Sequence, residues 1–558
     1  MSMHNHQYQN GAGLIVFFIA IIATGSIFVI NQLGDETGRL GTENSTSAAL
    51  ASAKNALISS AVSHYYMSSN GNHGLLPCPE RSTGYNGEGN SSNQCGTRHT
   101  NSLGRLPWKN LDIPPLKDSS GECLWYAVSG GFYNNPRSFM TNDDTPGMFQ
   151  VFNQNGNINQ GATAESRAVA VVIAPGLPLP GQVRSAANAA TPCKVTGDNV
   201  NPSAYLENYQ GTDNTSVNEI TADSIDQFIN ANSLGENSSI NDRIITITAA
   251  EIFDAIKKND AFYFDKITTL GNELSQCLVD YASAGATNST SCPSLSSCSL
   301  SCESDFNFCD AQANTGPANA ACHRTLSSCD RDCRNTCNTG GGNSGNSGNS
   351  GNSGNSGNNG NNGGGGGATS QLLPWPAAIN LNADYRVNAN YTDLNAAAEG
   401  YLGRLPYLTS NSSATIGSTD ADIFESCAFE SGNPEMFRLW EQWKDHWFYV
   451  VGEDFSPTGS NPATCTDCPQ VNSTATRYAA ILIFSNQRIN NQLRRTSDTE
   501  AANPPLNESK GFINNYLEGS NLSNYQDANG SGNYGLNNVN DRLFCISTDL
   551  LTITECTP

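Results

Sequence analysis

At 558 residues the chain exceeds what one ordinary hydrophobic core serves, so two or three domains are expected. The net charge of -23, from 51 acidic against 28 basic residues, argues against a nucleic-acid partner, because no basic patch offsets the excess. The 18 cysteines, few of them spaced like zinc ligands, read as disulfides of an oxidising compartment, which places the chain from about residue 31 onward in a periplasm or outside the cell.

Residues 1–11 form a leader without Lys or Arg. Residues 12–30 (AGLIVFFIAIIATGSIFVI) carry no charge and, at about 1.5 Å per residue, would make a helix of roughly 28 Å, close to the thickness of a bilayer's hydrocarbon core. A cleaved secretory signal is the competing reading, but it would have a shorter apolar region behind a positively charged start. A single-pass transmembrane helix is therefore expected over 12–30. Gly34, Gly38 and Gly41 then weaken helix continuity, and residues 42–46 (TENST) offer caps for a restart. Over residues 46–69, Leu50, Ala53, Leu57, Ala61 and Tyr65 recur every three or four positions, which predicts an amphipathic helix.

The globular part repeats itself. Leu75-Leu76-Pro77-Cys78-Pro79 is matched by Leu372-Leu373-Pro374-Trp375-Pro376, and Gly104-Arg105-Leu106-Pro107 by Gly403-Arg404-Leu405-Pro406. Strand-like runs follow in the same order: 124–128 (LWYAV) against 447–451 (WFYVV), and 167–174 (RAVAVVIA) against 477–484 (RYAAILIF). Tyr205-Leu206-Glu207 then matches Tyr516-Leu517-Glu518, and each copy closes on Asn-Asp-Arg before an apolar run, 241–247 (NDRIITI) against 540–546 (NDRLFCI). The prediction is an α+β fold with two related small-sheet domains, copy 1 over 70–260 and copy 2 over 368–558. Arg105 and Arg404, recurring in both, are expected to fix a turn or a buried carboxylate contact.

Residues 261–339 are read as a disulfide-rich helical hairpin between the copies. Cys298, Cys302 and Cys309 mirror the spacing of Cys322, Cys329 and Cys333, and steps of four and seven keep thiols on one helix face. A fold-back between Cys309 and Cys322, at Asn314-Thr315-Gly316-Pro317, pairs Cys309 with Cys322, Cys302 with Cys329 and Cys298 with Cys333, with Cys292 and Cys337 as an outer pair. Residues 340–367, a Gly/Asn/Ser repeat, are read as a flexible linker.

Catalytic signatures are missing from the sequence: the 7 histidines form no H-E-x-x-H pair, and no serine stands in a G-x-S-x-G elbow. No catalytic, cofactor or metal residues are assigned. Carboxylates at 118–122 and 142–144 suit Ca²⁺ in type but lack the EF-hand spacing. Cys78 and Cys95 join the disulfide candidates, and Cys465-x2-Cys468 is read as a structural disulfide, within the pair or to Cys427, in preference to a redox motif. The pairing of Cys123, Cys193, Cys277, Cys545 and Cys556 stays open. Trp440, Trp443 and Trp447 head a dense aromatic cluster, read first as core packing where a helix runs into a strand and second as a binding patch.

Taken together, the N-terminal apolar helix opening Gly-Leu-Ile, the amphipathic continuation (ALASAKNALISSAV), LLPCP, GRLPW, the LWYAVS strand and the strand begun by NDR resemble large bacterial type IV pilin-like or type II secretion pseudopilin-like proteins. The resemblance covers about residues 12–255, with 371–553 as a degenerate second copy. It implies a single-pass protein of the bacterial inner membrane, with most of the chain periplasmic or extracellular and other pilin-like subunits or secretion machinery as partners. It also implies a non-enzymatic structural or adhesion role, and prepilin cleavage after Gly11 or Gly13. A cut after Gly13 would put Phe18 where pilins of this kind carry Glu. The alternative class is a carbohydrate-binding module or hydrolase held outside the cytoplasm by the same helix.

Overall fold

The computed structural model describes residues 38–67, 74–133, 141–184, 192–193, 201–231, 239–258, 260–284, 372–381, 383–393, 401–409, 421–425, 427, 429–460, 465–489, 492–494, 510–526, 530–536 and 540–556. The chain divides into two compact units, residues 1–260 and 261–558.

Unit 1 opens with helix α1 (Gly38–Met67) and continues through β1 (Ser102–Arg105), β2 (Trp125–Val128), β3 (Phe149–Asn153), β4 (Ile158–Gln160) and β5 (Ala168–Ala174). A hairpin of β6 (Asn208–Tyr209) and β7 (Thr212–Asp213) leads to β8 (Asp226–Asn230), β9 (Arg243–Thr248) and helix α2 (Ala249–Lys257). The predicted periodicity is the face α1 buries: Leu50, Ala53, Leu57 and Ala61 are buried while Ser59 and Asn55 are exposed. The helix packs on β5, β9 and α2. It begins earlier than expected and runs through Gly41 and 42–46 without a break. A glycine in a helix costs only about 1 kcal/mol relative to alanine, which tertiary packing overrides. Thr46, expected as a cap, instead docks the helix: its hydroxyl lies 3.0 Å from Ser119 Oγ and accepts the Ser119 N–H at 3.1 Å.

The core strands β1-β2-β5-β9 form an antiparallel array, and β3 adds a second arm that pairs with β4 and, in parallel, with β8. Alternation along the strands sends Trp125, Ala127, Val171 and Ile173 to one face, where they meet Leu103, Phe149, Phe228, Tyr205 and Leu206. Helix α2 starts on a reciprocal capping box: Thr248 Oγ1 accepts the Glu251 N–H at 3.3 Å and Glu251 Oε2 accepts the Thr248 N–H at 3.0 Å.

Unit 2 opens with helix α3 (Asp260–Ala284), whose Ile267, Leu270, Leu274, Leu278 and Ala282 form its buried stripe. Its strands are β10 (Leu402–Arg404), the pair β11 (Leu408–Thr409) and β12 (Ala421–Asp422), then β13 (Trp447–Val451) after helices α4 (Phe429–Gly432) and α5 (Pro434–Trp443). The chain continues through β14 (Gln470–Val471), β15 (Tyr478–Phe484), helix α6 (Gly519–Gln526), β16 (Asn533–Tyr534), β17 (Arg542–Ser547) and β18 (Ile553–Glu555). The main sheet is antiparallel in the order β10-β13-β15-β17-β18. Its first four strands match β1-β2-β5-β9 of unit 1 in order and register: Arg105 lies opposite Trp125 as Arg404 lies opposite Phe448, and Ile173 opposite Ile244 as Ile483 opposite Leu543. Both units carry the same bulge, at Ala168/Ala170 and at Tyr478/Ala480. Gly271 on α3 lies where a Cβ would run into the Phe544 ring, so its lack of a side chain brings helix and strand together.

One expectation is corrected. The α+β fold with an N-terminal transmembrane helix does not describe the structure: the unit 1 sheet is mixed, the helices are few, and among the described residues no helix is long and apolar enough to cross a membrane. The first described helix, α1, is interrupted throughout by Ser, Thr, Asn and Lys. Residues 12–30, Gly11 and Gly13 lie outside the described residues. Of the segment 261–339 read as a helical hairpin, residues 261–284 are described and form helix α3, which precedes the sheet of unit 2 as α1 precedes that of unit 1. The paired cysteines Cys292, Cys298, Cys302, Cys309, Cys322, Cys329, Cys333 and Cys337 and the linker 340–367 lie outside the described residues. In sequence they fall between this helix and the first strand of unit 2.

Candidate functional site

The repeated motifs converge on one buried arrangement, built once in each unit. Gly104 and Gly403 sit where a Cβ would run into the carbonyl oxygens of Glu80 and Ala377, so only glycine lets the LLPxP segment pair there. The bridges are alike: Arg105 and Glu80 exchange two N–H···O bonds at 2.9 Å, and Arg404 and Ala377 do the same at 2.9 Å.

The arginine that follows turns into the core. The Arg105 guanidinium lies 4.6 Å from the Tyr205 ring centroid and 5.2 Å from that of Trp125, and donates to the Cys193 carbonyl. Arg404 lies 4.4 Å from Tyr516, 4.2 Å from Phe448 and 4.6 Å from Tyr385, and donates to the Lys510 carbonyl. A second guanidinium covers each tyrosine: Arg184 at 4.9 Å from Tyr205, Arg494 at 4.3 Å from Tyr516. Arg184 is aimed by the carbonyls of Gly176 (2.7 Å) and Ala204 (3.0 Å) and by Gln182 Oε1 (2.7 Å). Arg494 is aimed by Asn515 O (2.6 Å), Asn486 O (3.1 Å) and Gln492 Oε1 (3.3 Å).

The glutamines pass the arrangement on to carboxylates. Gln182 Nε2 donates to Glu207 at 2.9 Å and Gln492 Nε2 to Glu518 at 3.0 Å. Glu207 accepts the N–H groups of Asn241 and Asp242, each at 3.1 Å, and Glu518 accepts that of Asn540 at 3.2 Å. Asp242 and Asp541 are buried in turn, held by Asn214 (2.8 Å) and Asn521 (3.0 Å). Burial drives both aspartates well above the usual carboxylate range, and the adjoining Glu207 or Glu518 pushes the same way. In unit 1 the Asp242 and Glu207 side chains are also hydrogen-bonded to each other. Gln182, Arg184, Gln492 and Arg494 escaped the reading of the sequence. Their signal is spacing: Gln182 and Arg184 follow Arg167 by as many residues as Gln492 and Arg494 follow Arg477.

Trp440, Trp443 and Trp447 are buried where α5 runs into β13. Trp440 stacks on Tyr407 at 4.9 Å and meets Phe424 edge-on at 4.9 Å, Trp443 meets His446 at 4.8 Å, and Trp447 meets Phe484 at 4.9 Å. With almost no accessible surface, these indoles are core and offer no patch to a ligand. Beside them Asp445 pairs with Lys510 and accepts the Tyr516 hydroxyl at 3.0 Å.

The acidic loops considered for Ca²⁺ have other partners. Asp118 Oδ1 accepts Ser120 N and Glu122 N, both at 2.9 Å, and Oδ2 accepts Gly176 N at 2.8 Å, so both oxygens are engaged by backbone donors. Asp143 pairs with Lys257, and Asn142 Oδ1 accepts Asp144 N at 3.1 Å.

Among the described residues five disulfides form: Cys78–Cys95, Cys123–Cys193, Cys277–Cys427, Cys465–Cys468 and Cys545–Cys556. The Cys465-x2-Cys468 pair closes on itself, and Cys427 instead ties helix α3 to the segment before α4. No family model, curated protein or solved structure matches the chain.

Proposed function

We propose that the chain is a non-enzymatic pilin-like protein working outside the cytoplasm, as a structural or adhesion component of a bacterial pilus or secretion apparatus. The observation that carries this reading is the duplicated plan: a helix followed by a sheet whose four shared strands run antiparallel, made twice, with disulfides inside each unit. A subunit of an assembly exposed to an oxidising medium needs covalently braced units and large loops between strands to meet neighbours. The recurring charged residues suit that role, since they hold sheet, turn and loop together inside each unit and are turned away from solvent.

The test is fractionation of cells that make the protein. The proposal expects the chain in sheared surface material or in a high-mass envelope complex together with other pilin-like subunits. A monomer that hydrolyses or specifically binds glycans would contradict it. Mass spectrometry of the native protein adds a second check: a mature start at Ala12 or Leu14, after Gly11 or Gly13, supports prepilin processing, and an intact Met1 opposes it.

A further inference from the structure

The Cys465–Cys468 bond stands apart from the other disulfides. It joins residues 3 apart, against 11, 17, 70 and 150 for the rest. Cross-linking restrains an unfolded chain more as the closed loop lengthens, so the fold gains least from this bond. The plan common to both units does not require it either, since in unit 1 the sequence from 124 to 192, which contains β5, has no cysteine.

Its surroundings are those of a ligand set. Asp454 Oδ2 lies 3.3 Å from Cys465 Sγ and accepts the N–H of Thr466 at 3.1 Å and of Asp467 at 3.4 Å. One ligand atom from each of Asp454, Cys465 and Cys468 lies within 4.8 Å of the others. Two anchors that involve no sulfur fix the loop: Glu453 N–H donates to Asp467 O at 2.9 Å, and Arg477 Nη1 donates to Cys468 O at 2.9 Å. Gly452 lets the loop lie close, because a Cβ there would come within 2.7 Å of Cys468 Sγ. Cys468 is buried, whereas Cys465 is half-buried beside exposed Thr466 and Asp467, so a reductant reaches Cys465 first.

We infer that reduction turns this loop into a binding site for a thiophilic divalent cation of the Zn²⁺ class, with Cys465 Sγ, Cys468 Sγ and an Asp454 carboxylate oxygen as ligands. A dithiol supplies the two electrons and two protons. Its first thiolate attacks Cys465 Sγ, and the electron pair of the broken S–S bond leaves on Cys468, which takes up a proton. The second thiolate of the dithiol then attacks the mixed disulfide, releasing Cys465 as a thiol and the dithiol as its own disulfide. Two thiolates and the Asp454 carboxylate together carry three negative charges. A divalent cation displaces both thiol protons and neutralises most of that charge. Two sulfurs and one oxygen leave the fourth corner of a tetrahedron to water.

The experiment uses the full chain, reduced with a phosphine that is then removed, and titrated with Co²⁺ without oxygen. Sulfur-to-cobalt charge-transfer absorption is read for the wild type, for the double variant Cys465→Ser/Cys468→Ser and for Asp454→Asn. The inference expects the double variant to bind one Co²⁺ fewer than the wild type, and Zn²⁺ to displace that ion. Asp454→Asn should keep the band but bind roughly tenfold or more weakly, at least the loss that changes around metal ligands produce. Equal uptake by wild type and double variant, or unchanged affinity in Asp454→Asn, would overturn it. Asp454→Asn retains both cysteines and their bond, so it decides the matter even where the double variant fails to fold.

Discussion

Glu80 should make unit 1 less stable as the pH rises, and Glu80→Gln should remove that dependence. The side chain is 1% exposed; its Oε2 accepts Gly89 N–H at 2.8 Å, and Oε1 has no hydrogen-bond partner among the described residues. Burial raises its pKa from 4.5 to about 7, against the smaller opposing pulls of the Gly89 N–H and Arg105. Below pH 4.5 the carboxyl is neutral in both the folded and unfolded chain, and its contribution is fully present. Between 4.5 and about 7 the unfolded chain ionises while the folded one keeps its proton, so stability falls by about 1.4 kcal/mol per pH unit, about 3 kcal/mol in all. The glutamine stays neutral and keeps an oxygen for Gly89. Urea unfolding of the full chain at pH 5 and pH 8, sampled by pulsed proteolysis with peptides assigned to each unit, reads the effect. Unit 2 serves as the internal control, because Ala377 occupies the position of Glu80. Other buried carboxyls of unit 1 act in the same direction, so the decisive quantity is the wild-type pH difference minus that of the variant. A value near zero, or one of opposite sign, would refute the reasoning.

Removing the guanidinium from the stacked core of unit 2 with Arg404→Met should cost about 2–4 kcal/mol, since it deletes contacts with three rings and strands the Lys510 carbonyl; an unchanged urea midpoint for unit 2 would contradict this. Gly271→Ala should destabilise unit 2 by about 1–3 kcal/mol through overpacking against Phe544, and the added change Phe544→Leu should recover part of the loss in the same measurement. Replacing both Cys277 and Cys427 by Ser opens a closure of 150 residues, for which chain entropy sets a loss of up to about 5 kcal/mol, whereas opening Cys465–Cys468 should cost about 2 kcal/mol or less. Comparing the two double variants by thermal unfolding checks that ranking.

The central strands were legible because runs such as AVAVVIA and WFYVV are apolar almost throughout, as strands covered on both faces must be. The ordered motifs located the paired sheets even where the register could not be read. Strands β3 and β8 were not seen, because FQVFN and DQFIN bury only part of each strand and pass for loop. Helix α2 carries two signals, the Thr248/Glu251 capping box and the i, i+3, i+4, i+7 spacing of Ala249, Ile252, Phe253 and Ile256, both standing directly against the stronger strand signal of β9. The likeness of helix α3 to α1 is hard to see in the sequence because in unit 1 the helix runs almost directly into LLPCP, whereas in unit 2 the cysteine-rich segment and linker separate the helix from LLPWP. The stacks of Arg105 on Tyr205 and of Arg404 on Tyr516 join residues far apart in the chain, so their motifs could be listed in order but not brought together. The same distance hid the pairing of Cys123 with Cys193 and of Cys277 with Cys427, since spacing alone does not choose among connectivities.

Assembly is the point on which the proposed role depends most directly. A photo-reactive amino acid placed at exposed positions such as Leu177 and Val183 of unit 1, with cross-linking in cells that make the protein, reads it. The pilin-like account predicts cross-linked species containing a second copy or another pilin-like subunit, recovered with the surface or envelope fraction. Products that remain monomeric at every position, in a protein that instead turns over or binds a glycan, would contradict it.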